Sequence, residues 1–103
     1  MITLNKRLTL RTPVTITEDS LEKTNYVDGA TVWASVIPLR GKEFWQAQQT
    51  QSESRIKFII RYLKGIKKDW KIRFDGIDYD ITEEPIDIDM EHRYLEIYCK
   101  VVS

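Results

Sequence analysis

The sequence predicts an all-β protein: a small antiparallel β-barrel of about six strands, with one short helix in the loop between strands 2 and 3. Three observations predict it. Apolar and polar residues alternate at a period of two through most of the chain, which marks half-buried strands. Asp75-Gly76 lies between two such runs, a strong hairpin signal because the tight turn needs positive φ. No segment sustains a long helical period across the 103 residues. Many short strands then imply a sandwich or barrel, and closure of the sheet removes its exposed edges.

The length suits one domain, residues 1–103, with one modest core. Hydrophobic residues make up 42% and charged residues 31%, as in ordinary soluble globular proteins. No apolar run approaches the roughly 20 residues that span a bilayer, so no membrane partner is expected. The N-terminal "MITLNKRLTLRTP" has no continuous apolar stretch of the kind a secretory signal needs.

The first strand is expected over 7–16, with Leu8 and Leu10 on one face. Pro13, which cannot donate to a ladder, is expected to interrupt it. Residues 17–29, "TEDSLEKTNYVDG", are polar and end in an Asp-Gly turn signal, so they predict an exposed loop or a loose hairpin. The second strand covers 30–39. Val32, Ala34 and Val36 share one face; Trp33, Ser35 and Ile37 share the other. Both faces are largely apolar, whereas such strands normally keep one polar face. The face of Trp33 and Ile37 is therefore expected to be covered by a helix or by a neighbouring chain, and is a candidate subunit-contact face.

Residues 40–54 break the pattern. "GKEFWQAQQ" contains good helix formers, and Phe44 and Ala47 share a face at i, i+3, predicting a two-turn helix over 41–49. So short a helix is marginal alone and needs a partner surface.

The third strand covers 55–62. Ile56, Phe58, Ile60 and Tyr62 point inward and Arg55, Lys57 and Arg61 outward, with Ile59 the exception. After the basic turn "LKGIKKD" come "WKIRF" and "IDYDI". Trp70, Ile72 and Phe74 face Ile77, Tyr79 and Ile81, while Lys71 and Arg73 oppose Asp78 and Asp80 as cross-strand charge pairs. "TEEPIDIDMEH" reads as an acidic connection. The last strand covers 93–102, with Leu95, Ile97, Cys99 and Val101 inward and Tyr94 and Tyr98 outward.

The net charge is zero but unevenly spread. Residues 40–73 hold ten bases against three acids, and residues 74–103 hold nine acids against two bases. Cross-strand pairing explains part of this. A residual bipolar surface would favour head-to-tail packing of copies.

No catalytic constellation emerges. His92 is the single histidine, and no Ser-His-Asp order can be argued from it. The lone Cys99 cannot form an internal disulfide and reads as a core residue in a reducing compartment. Asp78, Asp80, Asp87 and Asp89 fall at strand spacing but lack the central Gly and terminal Glu of a Ca²⁺ loop, so they read as a solvated face. No Gly-rich phosphate loop is present. No catalytic, metal or cofactor site is expected, and the chain is not read as an enzyme.

"RIKFIIRYLKGIKKDWKIRF" interleaves bases and aromatics, which suits a small nucleic-acid-binding β-barrel. Against that alternative, Phe58, Tyr62, Trp70 and Phe74 fall on the apolar side of their strands, and the pI of 6.6 is not basic.

The ordered set "ATVWASVIPLRGKEFWQAQQ", "IKFIIRYLKGI", "KIRFDGIDYDI" and "RYLEIYCKVV" resembles the head-closure proteins of long-tailed bacteriophages and prophages, also called stopper or head–tail joining proteins. The likeness runs from about Leu8 to Val101, and "TEDSLEKTNY" is its least typical part.

The resemblance implies a structural virion protein of the neck, made in the host cytoplasm. It implies a ring, typically of twelve copies, beneath the portal and adaptor ring, with a tail-completion or tail-tube protein below. The free chain of such proteins can be monomeric. It also implies a channel and assembly loop at Arg40, Gly41, Lys42, Glu43, Phe44, Trp45, Gln46, Gln48, Gln49, Thr50, Gln51 and Ser52, in transient contact with genomic DNA. The uncharged Gln, Thr and Ser tip suits a channel lining that does not hold phosphates tightly. Another neck component is a further option, although the scarcity of helix argues against an adaptor.

Overall fold

Leu8 and Leu10, both 1% exposed, anchor the interior of a closed antiparallel sheet. The computed structural model describes residues 2–39 and 55–102. Its strands are β1 (Lys6–Glu18), β2 (Leu21–Pro38), β3 (Arg55–Arg61), β4 (Lys71–Phe74), β5 (Ile77–Ile81), β6 (Ile86–Asp87) and β7 (Tyr94–Val101).

Neighbours run β3-β2-β1-β4-β5-β7, and β3 pairs again with β7, so six strands close into a barrel. All pairings are antiparallel. One edge of β7 is filled by β3 from Tyr94 to Lys100. Its other edge is shared by β5, opposite Cys99–Val101, and by the two-residue β6, opposite Leu95 and Glu96. The acidic connection expected after β5 thus supplies one further short strand, followed by a 3-10 turn at Ile88–Met90.

The expected inward positions fill the barrel. Leu8, Leu10, Ala34, Phe58, Ile60, Ile72, Ile97 and Cys99 are each no more than 1% exposed. Phe58 makes edge-on contacts with Phe74 and Tyr79, at ring-centroid distances of 5.7 and 5.4 Å. Ile66, in the turn between β3 and β4, folds into the same core. Burying each such Leu, Ile or Phe contributes about 1.5–3 kcal/mol against chain entropy. Ile77, expected inward, is 43% exposed. It pairs with Phe74 beside the Asp75-Gly76 turn, at the rim of the barrel where the core ends. That turn has φ of 55° at Asp75 and 76° at Gly76, as the hairpin signal requires. Ile59, the apolar exception on the outer face, is buried apart from the core. It lies opposite Ser35 and Glu96.

The first hairpin departs from expectation. β1 does not stop at Pro13, which pairs with Tyr26. β4 accompanies β1 only through Arg11, so Pro13 lies where that edge of β1 is open, a position a proline tolerates. Residues 17–29 are strand apart from Asp19-Ser20, where φ of 52° and 64° makes the tight turn. Asp28-Gly29 is no turn. Leu10 alone stands between the pairs Thr9–Thr31 and Arg11–Asp28, so Gly29 and Ala30 oppose one residue as a β-bulge. A Cβ on Gly29 would lie 3.1 Å from the Leu10 carbonyl oxygen, which explains the glycine. Beyond the bulge the two strands leave the barrel as a two-stranded ribbon.

Register fixes what lies at each end. Arg11, Lys71, Asp80 and Arg61 mark the end that carries the ribbon and the β3–β4 turn. The Asp75-Gly76 turn marks the opposite end, whereas Arg55, through Lys100, shares the ladder row of Asp80, Lys71 and Arg11 and lines a depression with Tyr26, Lys68 and Asp69.

Candidate assembly surface

Residues 40–54 connect β2 to β3 in the chain. Their two ends are joined by the Leu39 amide donating to the Arg55 carbonyl at 3.3 Å, just past the pair of Pro38 with Ile56. The expected helix over 41–49 and the loop residues Arg40 to Ser52 lie outside the described residues.

Val32, Ala34 and Val36 face the core, which turns Trp33, Ser35 and Ile37 outward. Trp33 is 53% exposed. The Arg7 guanidinium lies 4.7 Å from its ring centroid, opposite it in the ladder. Ile37 is half-buried across from Lys57. Trp33 also borders a depression of about 310 Å³ with Thr31, Val32, Arg61, Tyr62 and Leu63. The neighbouring outer wall carries Lys57, 3.4 Å from Glu96 and near the Tyr98 ring. This is a mixed apolar and charged face suited to a protein surface.

The expected cross-strand pairs form. Lys71 Nζ is 2.8 Å from Asp80, and Arg73 donates to both oxygens of Asp78 at 2.8 and 3.3 Å. The hydrogen bond from Arg73 holds the Asp78 carboxyl below its ordinary value, and Asp78 in turn raises Arg73. Part of the charge asymmetry along the chain is therefore neutralised locally on the barrel wall.

Arg11 has a role that sequence reasoning missed. Its Nε donates to Asp28 at 2.9 Å, Nη1 to Asp78 at 3.4 Å and Nη2 to the Tyr26 carbonyl at 3.1 Å. Lys71 lies over the Tyr26 ring at 4.8 Å. These contacts tie the base of the ribbon to the β4–β5 hairpin. Its partners Asp28 and Asp78 stand 17 and 67 residues away, so no local spacing signals the cluster.

The remaining reactive groups serve the fold. Cys99 is buried, and burial pushes its thiol up to about 12. His92 is a surface residue, with Nδ1 2.7 Å from Asp87 and its ring stacked on Tyr62. Among the described residues no group of His, Cys, Asp or Glu is arranged to hold a metal. No helix among them is long and apolar enough to cross a membrane. Phe58 and Tyr79 are core residues, and Tyr62, Trp70 and Phe74 pack against that core, which leaves those rings little face for base stacking.

The family model for phage head completion proteins matches residues 1–102. The chain belongs to that family. It is thus a structural protein of the phage head. The solution structure of protein SF1141 from Shigella flexneri 2a is 25% identical to this head completion protein, with a TM-score of 0.79 over 97% of this chain and 94% of that one. A chain in the virion of a native gene transfer agent particle shares the fold at 18% identity, with a TM-score of 0.69 over 97% and 96% of the two chains. No curated protein matches the sequence.

Proposed function

We propose that residues 1–103 act as one head-closure unit. Copies form a ring of twelve beneath the portal and adaptor ring, close the DNA exit channel after packaging and receive a tail-completion or tail-tube protein below. The working place is the virion neck, reached from the host cytoplasm during assembly, and the role needs no catalysis or cofactor. The observation that carries this reading is the family match across residues 1–102.

The fold suits the role. A closed barrel gives each copy a rigid body without free edges along its wall. Residues 40–54 are borne on two strands locked together at Leu39 and Arg55. In this proposal Phe44 and Trp45 anchor that segment on the barrel or on the next copy, and the exposed Trp33 with Ile37 offers the surface. The uncharged tip from Gln46 to Ser52 then lines the channel, so DNA passes later without strong phosphate contacts.

The test deletes residues 43–51. The variant keeps the circular dichroism and melting transition of a folded barrel, and heads made with it fill with DNA and then lose it. Full DNA retention by those heads would refute channel closure by this segment.

A further inference from the structure

The β1–β2 ribbon is long, exposed and unshared. Among the described residues, β1 from Thr12 to Glu18 pairs only with β2, and seven residues of strand reach about 23 Å. That is comparable with the shortest dimension of the whole molecule, 24 Å. A lone two-stranded hairpin is marginal in water. This one nonetheless exposes Ile16, Leu21 and Val27 at 39%, 63% and 45%, and is held at its base by Arg11 and by Lys71 over the Tyr26 ring.

Charge adds a direction. The tip gathers Glu18, Asp19 and Glu22 against Lys23 alone. At the same end of the barrel, the β3–β4 turn exposes Arg61, Lys64, Lys67 and Lys68, with Asp69 and Glu84 at its border. Among the described residues, none of these tip acids or turn bases forms an ion pair. The bases Arg11, Lys57, Lys71 and Arg73 on the barrel, by contrast, are internally paired.

We propose that the ribbon is the arm by which one copy holds the next, its acidic tip seated on the basic β3–β4 turn of the neighbour. This rests on the ring reading above and names its contact. The two surfaces differ, so the contact is head-to-tail, the type that generates rings when the rotation closes. Opposed charges set its register, and Ile16, Leu21 and Val27 supply apolar area that one copy alone leaves in water. The Arg11 network fixes the angle at which the arm departs.

The test uses DNA-filled heads made without this chain and then supplied with purified protein, with vertex rings counted by electron microscopy. Two double variants are compared, Glu18→Lys with Glu22→Lys, and Lys64→Glu with Lys67→Glu. All four positions are exposed, so both variants keep the wild-type melting transition. Each alone lowers ring occupancy about tenfold, because like charges then meet at every contact. An equal mixture restores the ring, since each variant's tip then complements the other's turn. Wild-type occupancy by either variant alone, or loss by both without recovery in the mixture, overturns the arm while leaving the ring reading intact. The latter pattern is the one a different protein partner at the ribbon would give. Absence of any ring with the wild-type chain overturns both.

Discussion

Replacing Arg11 by Ala should loosen the ribbon without unfolding the barrel. The side chain is 17% exposed and makes three bonds. The bond to the Tyr26 carbonyl, from a charged donor, contributes about 1.5 kcal/mol net. The pair with Asp28, itself 61% exposed, belongs with surface ion pairs at about 0.5 kcal/mol. The contact to Asp78 is long, and Asp78 keeps Arg73, so it adds little. The sum is about 2 kcal/mol, or about 30-fold in the opening equilibrium of the ribbon. Hydrogen exchange reads this segment by segment. Amides in 12–18 and 21–28 should exchange about 30-fold faster in the variant, while those in β3 and β7 keep their rates. Unchanged ribbon rates would refute the anchoring role. Equal acceleration in β3 and β7 would refute the separation of arm from barrel.

Three further outcomes follow from the same geometry. Phe58→Ala empties the centre of the barrel and should lower unfolding stability by about 3–5 kcal/mol in a urea titration. A loss below about 1 kcal/mol would mean that Phe58 is not central. Gly29→Ala places a Cβ against the Leu10 carbonyl and should destabilise by about 1–3 kcal/mol, as overpacking does. Neutral behaviour would mean that the bulge adjusts freely. Acid should loosen the β4–β5 hairpin. The Asp78 carboxyl is held below its ordinary 3.8, chiefly by Arg73. Its contribution is present above that value and disappears as pH falls through the lower folded value. Asp78→Asn should remove this acid-dependent step from the exchange rates of 71–81, and its persistence would assign the step elsewhere.

The barrel was legible where one face of a strand is dry. Leu8 and Leu10, Ile56 to Ile60 apart from the outer Ile59, and Leu95 to Cys99 alternate because each second residue is buried, and Asp75-Gly76 declares its turn through positive φ. The ribbon was not legible for the same reason. Neither of its faces reaches the core, so residues 17–29 carry no burial alternation, and Asp28-Gly29 imitates a turn while forming a bulge. The Thr, Val and Ile of "TPVTITE" are the one local hint, through strand propensity. Ile77 shows the limit of parity, which gives the face but not where along the strand the core ends. The Trp33 and Ile37 face was readable as an anomaly, an apolar outer surface on a strand already committed to the core. The Arg11 cluster was not, because it exists only once the barrel closes.

The most direct measurement of the central claim is cryo-electron microscopy of this chain mixed with its portal–adaptor complex. The account predicts a ring of barrel-sized subunits added below the adaptor, with density narrowing the channel where residues 40–54 leave each barrel. An adaptor left bare, or the chain bound away from the channel exit, would contradict it.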